Sequence, residues 1–344
     1  MRTIDVGLIG YGLAGSTFHA PVIRAVEQLR LTKVMTSRSA DVARDLPGVA
    51  AVETAHPIFA DPAIELVVIA TPNPSHAALA GQALRAGKHV VIDKPMTTTR
   101  AEADELIALA RHCGRLLSVY QNRRWDNDFL TLQQLIADGR LGHVSAYEAH
   151  YDRFRPAIKP GWRERPEPGS GILFDLGSHL IDQALTLFGM PRTVTADIVT
   201  QRAQGAVDDY FHVVLGYADR RAIVHASTLV CEPGPHFAVH GDLGSFLKYG
   251  MDSQEAALKA GHAVGGADWG HDDPAAYGTL TDAAGERVTI PTRPGNYAAF
   301  YAQMAEAIGS GGPVPVSAEQ AADVISIIAC AQRSAAQGRT LPAV

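Results

Sequence analysis

The sequence predicts an α/β chain of two domains: a doubly wound parallel sheet over residues 1–120, then an α+β domain with a large mixed sheet over residues 121–344. Three observations carry this. The first third alternates short apolar runs with helix-compatible segments, the pattern of strand–helix–strand units. The first apolar run stops at Gly10, Gly12 and Gly15 in the spacing G-x-G-x-x-G. From Arg192 to Leu247 the alternation gives way to successive strand-like runs with no helix between them, a different architecture. Length agrees, since 344 residues exceed what one core serves.

Composition excludes several classes of function. The chain is 47% apolar and 19% charged, with a net charge of −6. Acids and bases are interspersed, so no basic stripe points to nucleic acid and no polybasic patch to a membrane surface. No apolar run reaches the roughly 18 residues of a membrane span. Met1-Arg2 leads straight into the first strand, which predicts no signal peptide. Cys113, Cys231 and Cys330 are isolated and form no C-x-x-C pair. They predict reduced thiols in a cytoplasm, not a disulfide framework or a structural zinc site.

In order, Ile4–Ile9 reads as a buried strand that ends in a turn tight enough to need Gly10. Gly12 lets the backbone approach a pyrophosphate, Gly15 lets the next helix pack closely, and that helix's first N–H groups meet the anion. Leu13 sits inside the motif and is counted with the cofactor-binding residues. A helix is expected from Phe18 to Leu29 and a strand over 31–35. The loop after it, Thr36-Ser37-Arg38-Ser39, has no acid before Asp41. An NAD site usually places an Asp or Glu there for the ribose 2′-hydroxyl. Ser37 and Arg38 offer the hydroxyl and guanidinium that hold a 2′-phosphate, so NADP is favoured and NAD remains open; the plainer alternative is a solvated arginine.

The run 65–70 is a strand buried on both faces, broken at Thr71-Pro72-Asn73-Pro74-Ser75-His76. Ser75 is expected to cap the following helix, and His76 to face either the cofactor or solvent. The strand His89–Ile92 delivers Asp93-Lys94-Pro95, where a lysine at a strand mouth is either placed to act on a substrate or is an ordinary surface lysine. A helix over 99–113 and a strand over 116–120 close the domain.

Gln121 to Phe129 is a dense polar cluster at the expected domain junction, a favoured place for small-molecule sites. It includes Asn122, Arg123 and Arg124. A helix over 126–138 follows, then a strand-like run over 143–153 carrying Tyr151 and Arg153. Arg153 to Arg165, with Trp162, is a lid or a charged surface loop. An apolar helix then runs from about Leu173 to Gly189. On it, Asp175 and His179 are four residues apart and stack on one face. So placed, a carboxylate and an imidazole deliver and accept a proton at one substrate hydroxyl; an i,i+4 pair on an exposed face has the same spacing, which spacing alone favours slightly. No third His, Cys or acid sits nearby at ligand spacing, so no metal is expected. Strands are expected over 193–200, 210–217, 221–230 and 236–240, a glycine- and aspartate-rich loop over 261–278, and helices over 297–308 and 318–335.

Gly10-Tyr11-Gly12-Leu13-Ala14-Gly15, Thr71-Pro72-Asn73 with His76, Asp93-Lys94-Pro95 and Asp175-Leu176-Gly177-Ser178-His179 occur in that order. Together they resemble the glucose–fructose oxidoreductase / inositol dehydrogenase / rhizopine-catabolism (Gfo/Idh/MocA) family over essentially the whole chain. Gly15 to Pro21, Met35 to Arg38, Tyr120 to Phe129, Tyr151 to Pro156, Asp175 to Met190 and Phe246 to Gln254 are similar to its NADP-dependent scyllo-inositol 2-dehydrogenase branch.

The resemblance implies a Rossmann domain followed by an α+β domain whose open sheet forms homodimer or homotetramer contacts. It implies that Lys94 contacts the reacting hydroxyl and the nicotinamide ribose, that Asp175 and His179 are catalytic, and that His179 accepts the proton. The family's glutamate is Asp93 here, one methylene shorter, which leaves its cofactor contact open. With Thr71, Pro72, Asn73, His76 and Asn122 it joins the cofactor set. Arg123, Arg124, Tyr151, Arg153 and Trp162 join Asp175 and His179 as substrate-binding residues. The expected activity is reversible hydride transfer between NADP and a cyclic polyol. The alternatives are another sugar, whether aldose or keto-sugar, and a non-catalytic NADP-sensing protein.

Overall fold

The computed structural model describes residues 2–159 and 161–343. The chain divides into two compact units: residues 1–122 with 254–269 and 296–322, and residues 123–253 with 270–295 and 323–344. Two segments that lie late in the sequence therefore belong to the first unit.

The first unit is built on β1 (Ile4–Ile9), β2 (Leu29–Met35), β3 (Ala50–Val52), β4 (Ile64–Ile69), β5 (His89–Asp93) and β6 (Leu117–Tyr120). They form a six-stranded sheet in the order β3-β2-β1-β4-β5-β6, parallel at every pairing. The order reverses at β1/β4, the doubly wound arrangement that places ligands at the strands' carboxyl ends. Every residue of β1 is buried, as are Leu66, Val67, Val68 and Ile69 of β4. Burying a Val, Leu or Ile side chain stabilises by about 1.5–3 kcal/mol, which explains why residues 6–9 of β1 and 66–69 of β4 carry no polar side chain, while Asp5 at the start of β1 is paired with Arg30. The helix Arg100–Cys113 starts with a capping box of Thr99 and Glu102 and ends at Gly114, φ +60°.

The expected helix Phe18–Leu29 needs correction. Helical structure begins at Ala14 as a π-helical turn to His19 and continues as an α-helix only from Ala20 to Arg24, while Leu29 already belongs to β2.

The second unit carries β7 (Val144–His150), β8 (Thr193–Val199), β9 (Tyr210–Gly216), β10 (Arg221–Ser227), β11 (Phe237–Gly241), β12 (Gly244–Lys248), β13 (Gly278–Asp282), β14 (Arg287–Ile290) and β15 (Leu341–Pro342). The nine-stranded sheet has the order β14-β13-β12-β11-β7-β10-β9-β8-β15. β7 and β10 run parallel, and the other pairings are antiparallel. Tyr147, Ala149, Phe211, Val213, Leu215, Ala222, Val224 and Ala226 point into the core with Leu180, Ile181 and Ala184 of the helix Ser178–Phe188. Their neighbours along the strands, including His150, His212, Val214, Ile223 and His225, are half-buried on the other face, the alternation a one-sided sheet requires. Strands β12 to β15 were not expected individually: they are short, and β14 is mostly exposed, with only Val288 and Ile290 to mark a face. No helix among the described residues is long and apolar enough to cross a membrane.

Candidate active site

In the first unit the carboxyl ends of β1, β2, β4 and β5 hold the expected cofactor residues except Asn122, which opens the 3₁₀ turn Asn122–Trp125 after β6. Gly10 has φ +101°, and a Cβ there would lie 2.6 Å from the Ala70 carbonyl oxygen. A Cβ on Gly15 would lie 2.0 Å from the Gly10 carbonyl oxygen, so the turn closes only with glycine at both positions. Gly12 differs: a Cβ there would meet nothing within 4 Å, so no neighbour in the chain requires glycine at this position. Leu13 beside it is 59% exposed.

At the end of β2, Ser37 and Arg38 are exposed and no acid occupies residues 36–38. The Arg38 backbone N–H donates to Thr36 Oγ1 at 2.9 Å. Its guanidinium lies 6.0 Å from the centre of the Tyr11 ring and 3.7 Å from Asp41.

At β4, Asn73–Ser75 forms a 3₁₀ turn with Asn73 buried. Ser75 does not cap the helix His76–Arg85. Its hydroxyl instead lies 2.7 Å from Thr71 Oγ1 and donates to the Pro72 carbonyl at 2.7 Å, tightening the loop. Nor does His76 face solvent. It is fully buried, with Nδ1 2.9 Å from the Pro95 carbonyl and Nε2 2.8 Å from that of Thr71. The ring thereby ties the loop after β4 to the loop after β5, a positioning role.

Lys94 follows β5, half-buried, and its backbone N–H donates to Asp93 Oδ1 at 2.9 Å. The Asp93 carboxylate lies 3.6 Å from Nε2 of the fully buried His19, whose Nδ1 is 2.5 Å from the Tyr301 hydroxyl. Burial alone would raise the Asp93 pKa, but the His19 contact and the Lys94 charge hold it below the usual carboxylate value. Sequence reasoning missed His19 and Tyr301, which lie far from Asp93 in the chain. The shorter side chain of Asp93 is thus matched by an imidazole brought to it from the π-helical turn after the glycine motif.

In the second unit, the apolar helix is again π-helical at its start, Leu173–Gly177, before the α-helix Ser178–Phe188. Asp208 fixes that start. Its carboxylate accepts the Leu173 N–H at 2.7 Å and would lie 2.0 Å from any Cβ on Gly171, and burial pushes its pKa up to about 6. His179 is 6% exposed, so the exposed-face reading of the Asp175/His179 pair fails for the histidine. Asp175 faces two guanidinium groups, Arg163 Nε at 3.3 Å and Arg153 Nη2 at 3.9 Å.

Arg163 also stacks on Trp162 at 4.6 Å, which brings Trp162, Asp175 and Arg153 into one cluster. Arg202, 7% exposed, bridges Glu164 and Asp209 and anchors the loop carrying Trp162. Pro160 in that loop lies outside the described residues. Arg123 lies over the Tyr151 ring at 5.5 Å and 3.2 Å from Asp126. Arg124 forms a two-pronged pair with Asp182 at 2.8 and 2.7 Å. Asp182 is one turn beyond His179, so Arg124 fixes the helix that carries the imidazole. Arg163 was missed as an individual residue; only its place in a charged loop signalled it.

Residues 4–121 match an oxidoreductase family described by its NAD-binding Rossmann fold, and residues 133–343 match the C-terminal alpha/beta domain of the same family. The chain is 45% identical over 342 residues to scyllo-inositol 2-dehydrogenase (NADP(+)) IolW of Bacillus subtilis, covering 98% of this chain and 96% of that one. It is 48% identical over 341 residues to the uncharacterized oxidoreductase YdgJ of Escherichia coli, covering 98% of each. A solved structure of the putative oxidoreductase yvaA from Bacillus subtilis superposes with a TM-score of 0.96 at 44% identity, over 99% of this chain and 98% of that one. One from Yersinia pestis, YPO2259, gives 0.95 at 44% identity, over 99% and 97%. The chain belongs to the Gfo/Idh/MocA family of oxidoreductases.

Proposed function

We propose that the chain interconverts a cyclic polyol of the scyllo-inositol type and its ketone, with NADP as redox partner. The observation that carries this reading is the 45% identity, over nearly the full length of both chains, with an NADP-dependent scyllo-inositol 2-dehydrogenase. The local chemistry agrees with it. The turn at Gly10 and Gly15 and the open side of Gly12 suit a pyrophosphate. The exposed Ser37 and Arg38, with no acid at residues 36–38, suit a phosphate better than a hydroxyl, and Asp41 at 3.7 Å holds the Arg38 guanidinium at this loop. Gly10, Gly12, Leu13, Gly15, Ser37, Arg38, Thr71, Pro72, Asn73, Asp93, Lys94 and Asn122 would hold the dinucleotide, with His76 fixing two of their loops.

The bound nicotinamide supplies the hydride acceptor or donor. In the oxidative direction His179 takes the hydroxyl proton as general base. The Lys94 ammonium stabilises the developing alkoxide, an effect worth a few kcal/mol in a dry site. Asp175 orients the reacting groups through the guanidinium groups it faces, and Arg123, Arg153, Tyr151 and Trp162 read the other ring hydroxyls. Arg124 acts through the helix it anchors.

The same reading places the protein in the cytoplasm as a homodimer or homotetramer assembled through the open face of the nine-stranded sheet. The half-buried Val214 and Ile223 on that face support a second copy as its cover.

A panel of inositol isomers, aldoses and keto-sugars with NADP and NAD, read by absorbance of the nicotinamide, tests the proposal. Highest kcat/KM for scyllo-inositol or its ketone with NADP supports it; preference for an aldose or for NAD replaces it; cofactor binding without turnover on any substrate favours a sensing protein.

A further inference from the structure

Outside the residues assigned to the reaction, the second unit holds one cluster of metal-ligand chemistry among its described residues: His150, Asp152 and His225, whose ligand atoms all lie within 4.8 Å of one another. They come from the middle of the nine-stranded sheet. His150 ends β7, His225 lies directly opposite it on the parallel neighbour β10, and Asp152 follows two residues after His150 on the same face. Tyr151 and Arg153, between and beyond them, point to the other face, as alternation in an extended segment requires. The cluster is therefore separate from the substrate residues that share its stretch of chain.

The group is built, not incidental. Asp152 Oδ1 lies 3.2 Å from His225 Nε2 and Oδ2 lies 3.4 Å from His150 Nδ1, so one carboxylate stands between two imidazoles. The Ser227 backbone N–H donates to Asp152 Oδ1 at 3.0 Å and fixes the carboxylate. Backbone bonds from Tyr151 to His225 at 2.9 Å and from Arg153 to Ser227 at 3.0 Å hold the two segments in register. Around a tetrahedral ion with ligands about 2.0–2.1 Å away, neighbouring ligand atoms lie roughly 3.3 Å apart; the two imidazoles approach the carboxylate this closely through its two different oxygens, and one donor atom from each of the three residues lies within 4.8 Å of the others, so small side-chain rotations complete the set.

The surroundings fit a metal as well. His150 Nε2 faces Glu148 at 3.6 Å, the outer carboxylate that commonly orients a metal-bound imidazole. The His212 ring, opposite His225 on β9, is 5.6 Å from the His225 ring, close enough to add a fourth donor after a side-chain rotation.

We propose that His150, Asp152 and His225 form a binding site for a divalent first-row transition metal of the zinc class, clamping β7 to β10 on the open face of the sheet. Two imidazoles and one carboxylate are the donors that suit Zn²⁺, and also Co²⁺ and Ni²⁺, over the hard ions Mg²⁺ and Ca²⁺.

The test uses the full-length protein stripped with EDTA and titrated with Co²⁺ alone, followed by its visible ligand-field spectrum, and with Zn²⁺ alone by calorimetry. The expected result is one saturable equivalent per chain, at least tenfold weaker in both His225→Ala and Asp152→Asn, with a Tm that rises on Zn²⁺ addition in the wild type and not in the variants. If either variant is shown by circular dichroism to be unfolded, His150→Gln takes its place. Absence of saturable uptake in the wild type overturns the proposal, as does uptake unchanged in the folded variants.

Discussion

The two units assemble their polar groups by opposite routes. In the first, the residues expected to hold the cofactor sit in short contiguous stretches at the ends of parallel strands: Gly10 to Gly15 after β1, Ser37 and Arg38 after β2, Thr71 to His76 after β4, Asp93 to Pro95 at the end of β5. A parallel sheet sends all its strands to the same edge, so sequence-local motifs become neighbours without further instruction. In the second unit, partners come from far apart in the chain. Arg124 meets Asp182, Arg153 meets Asp175, and His150 stands opposite His225. There, adjacency is set by strand pairing and by which face of one helix is presented. The lesson is that the first unit's chemistry is written in motifs and the second's in pairings.

The largest effect expected from this contrast concerns one residue from each unit. Lys94→Ala and His179→Ala should each lower kcat by about 10²-fold or more while NADP still binds, measured by steady-state kinetics beside fluorescence titration of the cofactor. Near wild-type turnover in either variant would leave the chemistry to one unit alone.

Arg124→Ala sharpens the comparison next. It strands the buried Asp182 carboxylate, and breaking such a pair costs about 3–5 kcal/mol. The second unit should therefore lose stability in urea unfolding, and an unchanged midpoint would return Arg124 to a purely substrate-reading role.

The smallest effect belongs to the first unit. Burial, followed by the Arg115 charge, lowers the His89 pKa to about 4, and its Nδ1 accepts the Leu116 N–H. With the folded value below the unfolded one near 6.5, the stability His89 contributes is present above pH 6.5 and is lost as pH falls towards 4. His89→Gln should flatten that part of the Tm–pH curve relative to wild type. An equally steep fall in the variant would show that His89 does not carry it.

The same contrast explains what the sequence made legible. Strand–helix alternation, the glycine spacing and Lys94 at the mouth of β5 all follow from local pattern, and the structure has them where the pattern put them. The helix after the glycine motif was misjudged because its π-helical start at Ala14 breaks the 3.6-residue period on which such readings depend. His76 reads as a first-turn residue facing either the cofactor or solvent; only the loop after β5, packed against it, makes it a buried tie. His19 and Tyr301 beside Asp93, Arg163 beside Asp175, and the imidazoles around Asp152 leave no local trace, since each pair is joined only by folding. The short strands β12 to β15 escaped for a related reason: pairing across the sheet holds them, not a strong run of their own.

The most direct test of the account follows the transferred hydrogen. With scyllo-inositol deuterated at its ring carbons and NADP as acceptor, the account predicts that deuterium appears on the reduced nicotinamide, that none is lost to water, and that Lys94→Ala and His179→Ala abolish the transfer. Reduction without the label, or no reduction of NADP by this polyol at all, would contradict it.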